Sequence, residues 1–99
     1  MLLIVGTMRL PPDKLDQARP AMAEMIARSR AEDGCILYAY AGDVLDAGLI
    51  HIKELWRDEA ALRRHFASDH IRAWRAAWPA LGIGARDLVA YEVGEARAV

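Results

Sequence analysis

The order of strand-forming and helix-forming segments within 99 residues leaves few folds open to this chain. Four runs rich in aliphatic and aromatic residues, each bounded by turn-forming residues, predict strands. These runs are Leu2–Leu10, Cys35–Gly42, Leu49–Trp56 and Leu88–Val93. Helical patterns fill the gaps after the first and the third run. The resulting order, βαββαβ, predicts an α+β fold of the ferredoxin-like kind, an antiparallel sheet with helices on one face.

Local signals set the limits of the helices. An apolar stripe at helical spacing predicts the first helix from Asp13 to about Ala31, with Pro20 as a kink or as the true start. The second helical region divides into a short helix capped by Asp58 and a longer one capped by Ser68. Since the chain has no linker, repeat or low-complexity tract, we expect a single domain over residues 1–99.

The strands of this chain are apolar on both faces. In the first strand, Leu3 and Val5 point one way, and Leu2, Ile4 and Met8 point the other. A sheet with one face in water would alternate apolar and polar residues instead. Because the helices cover only one face, we expect a second copy of the sheet to cover the other, and the protein to be a homodimer.

Composition and missing motifs exclude several classes of protein. A formal net charge of −1 gives no electrostatic basis for binding nucleic acid. The sequence has no run of transmembrane length and no convincing signal peptide, so we expect no membrane partner and a cytoplasmic location.

The single cysteine, Cys35, excludes an internal disulfide and a cysteine cage for a metal. No nucleotide or phosphate motif is present, and His51, His65 and His70 lack the spacing of a metal motif, so we expect neither cofactor nor metal.

The segment from Glu54 to His65 concentrates the chemistry of the chain. It places a carboxylate, an indole and an imidazole at the end of a strand and in the short helix that follows. Glu54 is either a structural acid paired with Arg9, Arg57 or the histidine, or a base whose pKa burial raises. Trp56 is either a core ring or a wall that stacks on an aromatic ligand. His65 is either held by a carboxylate or carbonyl, or exchanges protons with a ligand.

Four more side chains are candidates for ligand binding. Tyr38 and Tyr40 share a strand face and can donate hydrogen bonds to ligand oxygens, or simply pack in the core. Trp74 has the helical spacing of a core residue, but it can also line a cavity bounded by the helices. His70 lies in the first turn of its helix, where the macrodipole favours a neutral imidazole.

Two motifs of the chain resemble the antibiotic biosynthesis monooxygenase family. They are the strand start Glu32-Asp-Gly34-Cys-Ile-Leu-Tyr38 and the run Glu54-x-Trp56…Ala-Leu…His65. The resemblance covers nearly the whole chain and implies a dimeric α+β barrel in which the residue matching Trp56 borders the cavity. It also implies a cofactor-independent oxygenase that acts on a phenolic or quinol-like aromatic compound.

The same resemblance implies a division of roles among the candidate residues. His65 assists proton transfer and Trp56 stacks on the substrate, while Tyr40 or Arg9 orients the substrate oxygens. We expect a closed, mostly apolar cavity between sheet and helices, with Trp56 and His65 on its wall.

One departure from the family pattern argues against part of this interpretation, and two alternative functions stay open. The chain has no asparagine, a residue that active and haem-degrading members often use, which argues against haem degradation. The alternatives that stay open are a non-catalytic dimer that binds or senses a small molecule, and an isomerase or lactonase-like enzyme of the same barrel group.

Overall fold

Four antiparallel strands and three helices make up the fold. The computed structural model describes residues 1–99. Its strands are β1 (Leu2–Arg9), β2 (Cys35–Gly42), β3 (Leu49–Trp56) and β4 (Arg86–Glu92). Its helices are α1 (Leu15–Arg30), which follows a 3₁₀ turn at Pro12–Lys14, α2 (Glu59–Phe66) and α3 (Asp69–Leu81). The sheet order is β2-β3-β1-β4, so the ferredoxin-like α+β fold predicted from the sequence is confirmed.

Both helix caps predicted from the sequence are present. The Asp58 carboxylate accepts a hydrogen bond from the backbone N–H of Ala61 at 2.9 Å, and the Ser68 hydroxyl accepts one from Ile71 at 3.4 Å. Helix α3 ends at Leu81, before Gly82, whose φ of 72° lies in the left-handed region. No helix combines the length and the apolar character that crossing a bilayer requires.

The core lies between the helices and one face of the sheet. Its residues on the sheet are Ile4, Met8, Tyr38, Ile50, Ile52, Glu54 and Trp56. The helices bury against them Ala18, Met22, Met25, Ser29, Ala61, Leu62, His65, Ile71 and Trp74. Each large aliphatic side chain removed from water contributes about 1.5–3 kcal/mol. Glu54 and His65 are the two among them that can carry a charge near neutral pH, and both lie inside the core.

The opposite face of the sheet stays uncovered in the protomer. One cross-strand row on it consists of Leu37, Leu55, Leu3 and Tyr91, and the next row includes Val5 and Val89. Leu37, Val89 and Tyr91 keep 38%, 47% and 51% of their surface exposed. An apolar patch of this kind marks an interaction surface. The homodimer expected from the sequence stays a prediction, and this face is the surface that it requires.

Candidate active site

Glu54, Trp56 and His65 come together in the core, as the sequence predicted. Glu54 and Trp56 are two residues apart on β3, so both side chains point to the helices, and His65 lies in the last turn of α2. The indole Nε1 of Trp56 donates a hydrogen bond to Oε1 of Glu54 at 2.9 Å, and the ring centroids of Trp56 and His65 are 4.6 Å apart. Glu54 is 1% exposed and the other two residues are fully buried.

Two tyrosines on β2 extend this group. The rings of Tyr38 and Tyr40 stack with centroids 5.8 Å apart, and the Tyr38 ring lies 5.3 Å from that of His65. The Tyr38 hydroxyl donates to the sulfur of Met25 at 3.3 Å, whereas the Tyr40 hydroxyl makes no hydrogen bond of ordinary geometry and has Tyr38 and Trp74 as its polar neighbours. Burial raises the pKa of both phenols, so both stay protonated at neutral pH. Tyr40 is therefore the tyrosine that is free to donate to a ligand oxygen.

Glu32, a carboxylate that the sequence analysis did not select, fixes the orientation of His65. Its Oε1 lies 2.8 Å from Nδ1 of His65, and the same oxygen contacts Nε2 of His70. When Nδ1–H of His65 donates to this carboxylate, Nε2 is left as the acceptor nitrogen, 4.0 Å from Oε1 of Glu54. Helical periodicity could not reveal Glu32, because the contact joins segments 33 residues apart.

Glu32, His65 and His70 also have donor atoms suited to a metal ion. Their ligand atoms lie within 4.8 Å of one another, although the spacing of these residues in the sequence matches no metal motif. Two imidazoles and a carboxylate are a known ligand set for divalent ions. Both imidazoles already contact one carboxylate oxygen, so the three side chains satisfy one another without an ion. We assign them to a hydrogen-bonded network.

Burial drives the two central ionisable groups toward their neutral forms. It lowers the pKa of His65, against the hydrogen bond and charge of Glu32, which raise it. It raises the pKa of Glu54, against the hydrogen bond from Trp56, which lowers it. At neutral pH, His65 is therefore an unprotonated base. Burial also raises the pKa of the Cys35 thiol to about 11, which leaves no thiolate nucleophile.

Arg9 is not part of the site, and the prediction that it orients substrate oxygens is wrong. It is the last residue of β1, and strand alternation turns it away from the buried face. Its guanidinium pairs with Asp46 at 2.7 Å on the surface. The alternative partner for the buried acid, Arg57, pairs with Asp33 instead. No arginine therefore forms an ion pair with Glu54; its hydrogen bond comes from the indole.

Four open cavities border this group; Tyr38 and Tyr40 each line one of them, and two others lie against the helices. The first of these two, which we call the β4 cleft, measures about 240 Å³ and lies between β1, β4 and α2; it is lined by Ile4, Leu62, Phe66, Arg86, Leu88 and Ala90. The second is a groove of about 300 Å³ between α1 and α3, which reaches His70 and Trp74. None of the four is lined by Trp56 or His65. The expected closed cavity with these two rings on its wall is wrong, because the rings pack directly on each other.

Five buried polar side-chain atoms make no hydrogen bond of ordinary geometry within the protein. They are Tyr40 Oη, Glu54 Oε2, His65 Nε2, Trp74 Nε1 and Trp78 Nε1. Nearly all buried polar groups in proteins are paired, so these five atoms are candidates for contact with a bound polar molecule. Trp56 is not among them, since its N–H is already bound to Glu54. Among the predicted binding residues, Tyr40 and Trp74 therefore carry free polar atoms.

Comparison with known proteins agrees with this geometry. Residues 1–77 match the sequence model of the antibiotic biosynthesis monooxygenase family. YcnE of Bacillus subtilis, provisionally named a monooxygenase, is 25% identical over 95 residues, which make up 96% of this chain and 100% of YcnE. An uncharacterized protein of Synechocystis is 27% identical over 94 residues, 95% of this chain, and the chain spans 64% of the length of that protein.

Solved structures show the same fold. One is a protein of Deinococcus radiodurans that is provisionally named an antibiotic biosynthesis monooxygenase. It superposes with a TM-score of 0.90 at 27% identity, and the superposition covers 100% of this chain and 98% of the Deinococcus chain. Rv0793 from Mycobacterium tuberculosis superposes with a TM-score of 0.84 at 25% identity, over 98% of both chains. The matched residues 1–77 contain the whole group around His65. The chain belongs to the antibiotic biosynthesis monooxygenase family.

Proposed function

We propose that this protein is a cofactor-independent monooxygenase that oxidises a phenolic or quinol-like aromatic compound with dioxygen. The observation that carries the proposal is the buried imidazole of His65, whose Nδ1 is bound to Glu32 and whose Nε2 has no partner. Family membership and the name of YcnE support monooxygenase chemistry as a class. The substrate class and the roles of individual residues are our inference.

In the first step, His65 removes the phenolic proton. Its Nε2 is held in the unprotonated form by burial and accepts the proton, while the carboxylate of Glu32 at Nδ1 stabilises the imidazolium that results. Glu54 lies 4.0 Å from the same nitrogen and has a raised pKa, so it can hold the proton in turn. This arrangement repeats the base-and-orienting-acid logic of other proton-transfer sites.

In the second step, the phenolate reduces dioxygen directly. One electron passes to dioxygen, and the superoxide and phenoxyl radical combine at a ring carbon that carries hydrogen. The peroxide takes back the proton held by His65, and loss of water from the resulting hydroperoxide leaves a quinone, so one atom of dioxygen enters the product and the other leaves as water. The protein contributes by holding the ring against apolar and aromatic walls and by excluding water from the reaction.

The proposal includes a homodimer formed through the uncovered sheet face. Burial of apolar surface is worth about 25 cal/mol per Å², and a standard interface buries about 800 Å² on each partner. The row from Leu37 to Tyr91 supplies apolar area on all four strands of this face. A partner subunit packed on this face would also hold in place the strands β3 and β2, which carry Glu54 and Tyr40 on their opposite face.

The test is dioxygen uptake by metal-stripped protein with a panel of hydroquinones and naphthols, together with ¹⁸O₂ labelling of the product. We expect labelled quinone, and we expect His65→Gln to lower the rate by about 10²-fold or more. His51→Gln is the matched control, since His51 is exposed and pairs with Asp43 away from the core. Melting temperatures of both variants separate a catalytic loss from unfolding.

Three outcomes would contradict the proposal in different ways. Full activity in folded His65→Gln would move the proton transfer to Glu54 or to solvent. Unlabelled quinone with release of hydrogen peroxide would make the protein an oxidase. No uptake with any compound, combined with tight binding of one of them, would favour a non-catalytic binding protein.

A further inference from the structure

Arg86 is an inward-facing cation that forms no ion pair, although its charge helps to lower the pKa of the buried acid Glu54, which burial raises. It is the first residue of β4 and pairs in register with buried Met8, so its side chain lies on the helix-covered face of the sheet. It forms no ion pair with any carboxylate, although most arginines of the chain do. Its Cζ lies 5.9 Å from the Phe66 ring centroid and 5.7 Å from that of Trp78. Aromatic faces stabilise a guanidinium only in part, so the cation keeps its capacity for an anion.

Arg75 places a second guanidinium beside the same ring. Its Cζ is 5.8 Å from the Phe66 centroid, and it too lacks a carboxylate partner. The neighbouring charge of Arg86 contributes to lowering the pKa of Arg75, after burial. Two like charges that share one aromatic ring repel each other, and an anion bound between them would remove that repulsion.

The free polar atoms nearby divide into donors and acceptors. The unpaired donors are Tyr40 Oη, Trp74 Nε1 and Trp78 Nε1, and Trp78 is itself stacked against Arg86. The unpaired acceptors are Glu54 Oε2 and His65 Nε2. A molecule that satisfies both sets carries an anionic group at one end and an acidic hydroxyl at the other.

The β4 cleft supplies the space between these two ends. Five of its six lining residues are apolar, and Arg86 is the single charge. Ile4 on its wall is the direct cross-strand partner of Glu54, which lies one strand further in. Phe66, 39% exposed, stands at the mouth of the cleft beneath both guanidinium groups.

We propose that the β4 cleft binds a hydroxylated aromatic carboxylate, with its carboxylate paired to Arg86 and its hydroxyl directed to Glu54 and His65. The assignment of the hydroxyl end rests on the proposed function, whereas the carboxylate end rests on Arg86 alone. A guanidinium binds a carboxylate through two parallel hydrogen bonds, which a lysine cannot reproduce.

The test compares two probes that share a hydroxynaphthalene ring, 6-hydroxy-2-naphthoate and 2-naphthol, by calorimetry on the full chain in the absence of dioxygen. We expect the carboxylate to bind about tenfold or more tightly than the naphthol, and we expect Arg86→Gln to remove that preference. Arg86→Lys should keep a small part of it. Arg97→Gln, with the same loss of charge near the exposed C-terminus, should keep all of it.

Two results would overturn the inference. Equal affinity of the wild type for both probes is one, and an unchanged preference in folded Arg86→Gln is the other. Since neither measurement requires turnover, failure here is distinguishable from failure of the proposed function. If Arg86→Gln does not fold, Arg75→Gln and Arg86→Lys still decide whether this pair of cations recognises the carboxylate.

Discussion

Glu32 and His65 are 33 residues apart in the chain, yet Oε1 of the acid lies 2.8 Å from Nδ1 of the imidazole. The acid follows α1 and the imidazole ends α2, and His70 of α3 contacts the same oxygen. One carboxylate therefore links three helices and decides which nitrogen of His65 faces Glu54. The orientation of the proposed catalytic base depends on this contact.

Replacing Glu32 should change the titration of His65. The hydrogen bond and charge of Glu32 raise the pKa of His65 against the effect of burial. In Glu32→Gln that contribution is lost, so the pKa of His65 should fall further below its ordinary value. The measurement is the shift of the His65 ring protons with pH in the NMR spectrum.

Glu24→Gln is the control for this titration. Glu24 is an exposed acid on α1 that pairs with Arg28 at 2.6 Å, outside the core. The same charge change there should leave the titration of His65 as in the wild type. A histidine that titrates identically in wild type and Glu32→Gln would show that the contact does not govern the base.

Glu54 should make the stability of the protein depend on pH. Burial raises its pKa in the folded state, so folding favours the protonated acid. This contribution is present below the unfolded pKa and is lost as pH rises through the folded pKa. Glu54→Gln removes the charge and keeps an oxygen for the indole of Trp56. The variant should therefore gain stability relative to the wild type between pH 4 and pH 7, as measured by urea unfolding at both values.

His65 changes the stability with pH in the opposite direction, but it does not affect the comparison between wild type and Glu54→Gln. Burial lowers its pKa, so its contribution is present above the unfolded pKa and is lost as pH falls through the folded one. The wild type and Glu54→Gln both contain His65, so its contribution largely cancels in their difference. If the difference in stability between Glu54→Gln and the wild type is the same at pH 4 and at pH 7, the raised pKa assigned to Glu54 is contradicted.

Much of the fold could be predicted because its signals are local. The limits of β2 and β3 agree with the sequence to the residue, since continuous apolar runs end at turn-forming residues there. The start of β4 was placed two residues late, at Leu88 instead of Arg86. Arg86 joins the strand only because β1 lies beside it, which is a long-range condition that composition does not express.

The site could be predicted only where its members are close in sequence. Glu54, Trp56 and His65 belong to one strand-to-helix segment, and the segment revealed them. Glu32 and Arg86 reach the same region from distant elements; Glu32 begins a family motif, but nothing in the sequence indicated that either side chain belongs to the site. Arg9 was placed in the site by chemistry alone, although strand alternation directs it to the other face.

Trp56 should act mainly as a core residue. It is fully buried, packs on His65 and supplies the hydrogen bond to Glu54. Trp56→Ala should reduce the free energy of unfolding by about 3–5 kcal/mol, because it creates a cavity. Trp56→Phe keeps most of the ring but leaves the carboxylate unpaired, which should cost about 1–3 kcal/mol. Urea unfolding at pH 7 measures both values. A loss below 1 kcal/mol in Trp56→Ala would contradict the core role.

The uncovered sheet face should hold two copies of the chain together. Leu37 and Tyr91 lie at the two ends of one apolar row, on the edge strands β2 and β4. A carboxylate placed in this row would be buried without a partner in a dimer, but it would stay in water in a monomer. Leu37→Glu and Tyr91→Glu should therefore shift the wild-type dimer to monomer in light scattering at micromolar concentration. Ala60→Glu, on the exposed side of α2, adds the same charge and should leave the dimer intact. A wild type that is already monomeric at that concentration would rule out this interface.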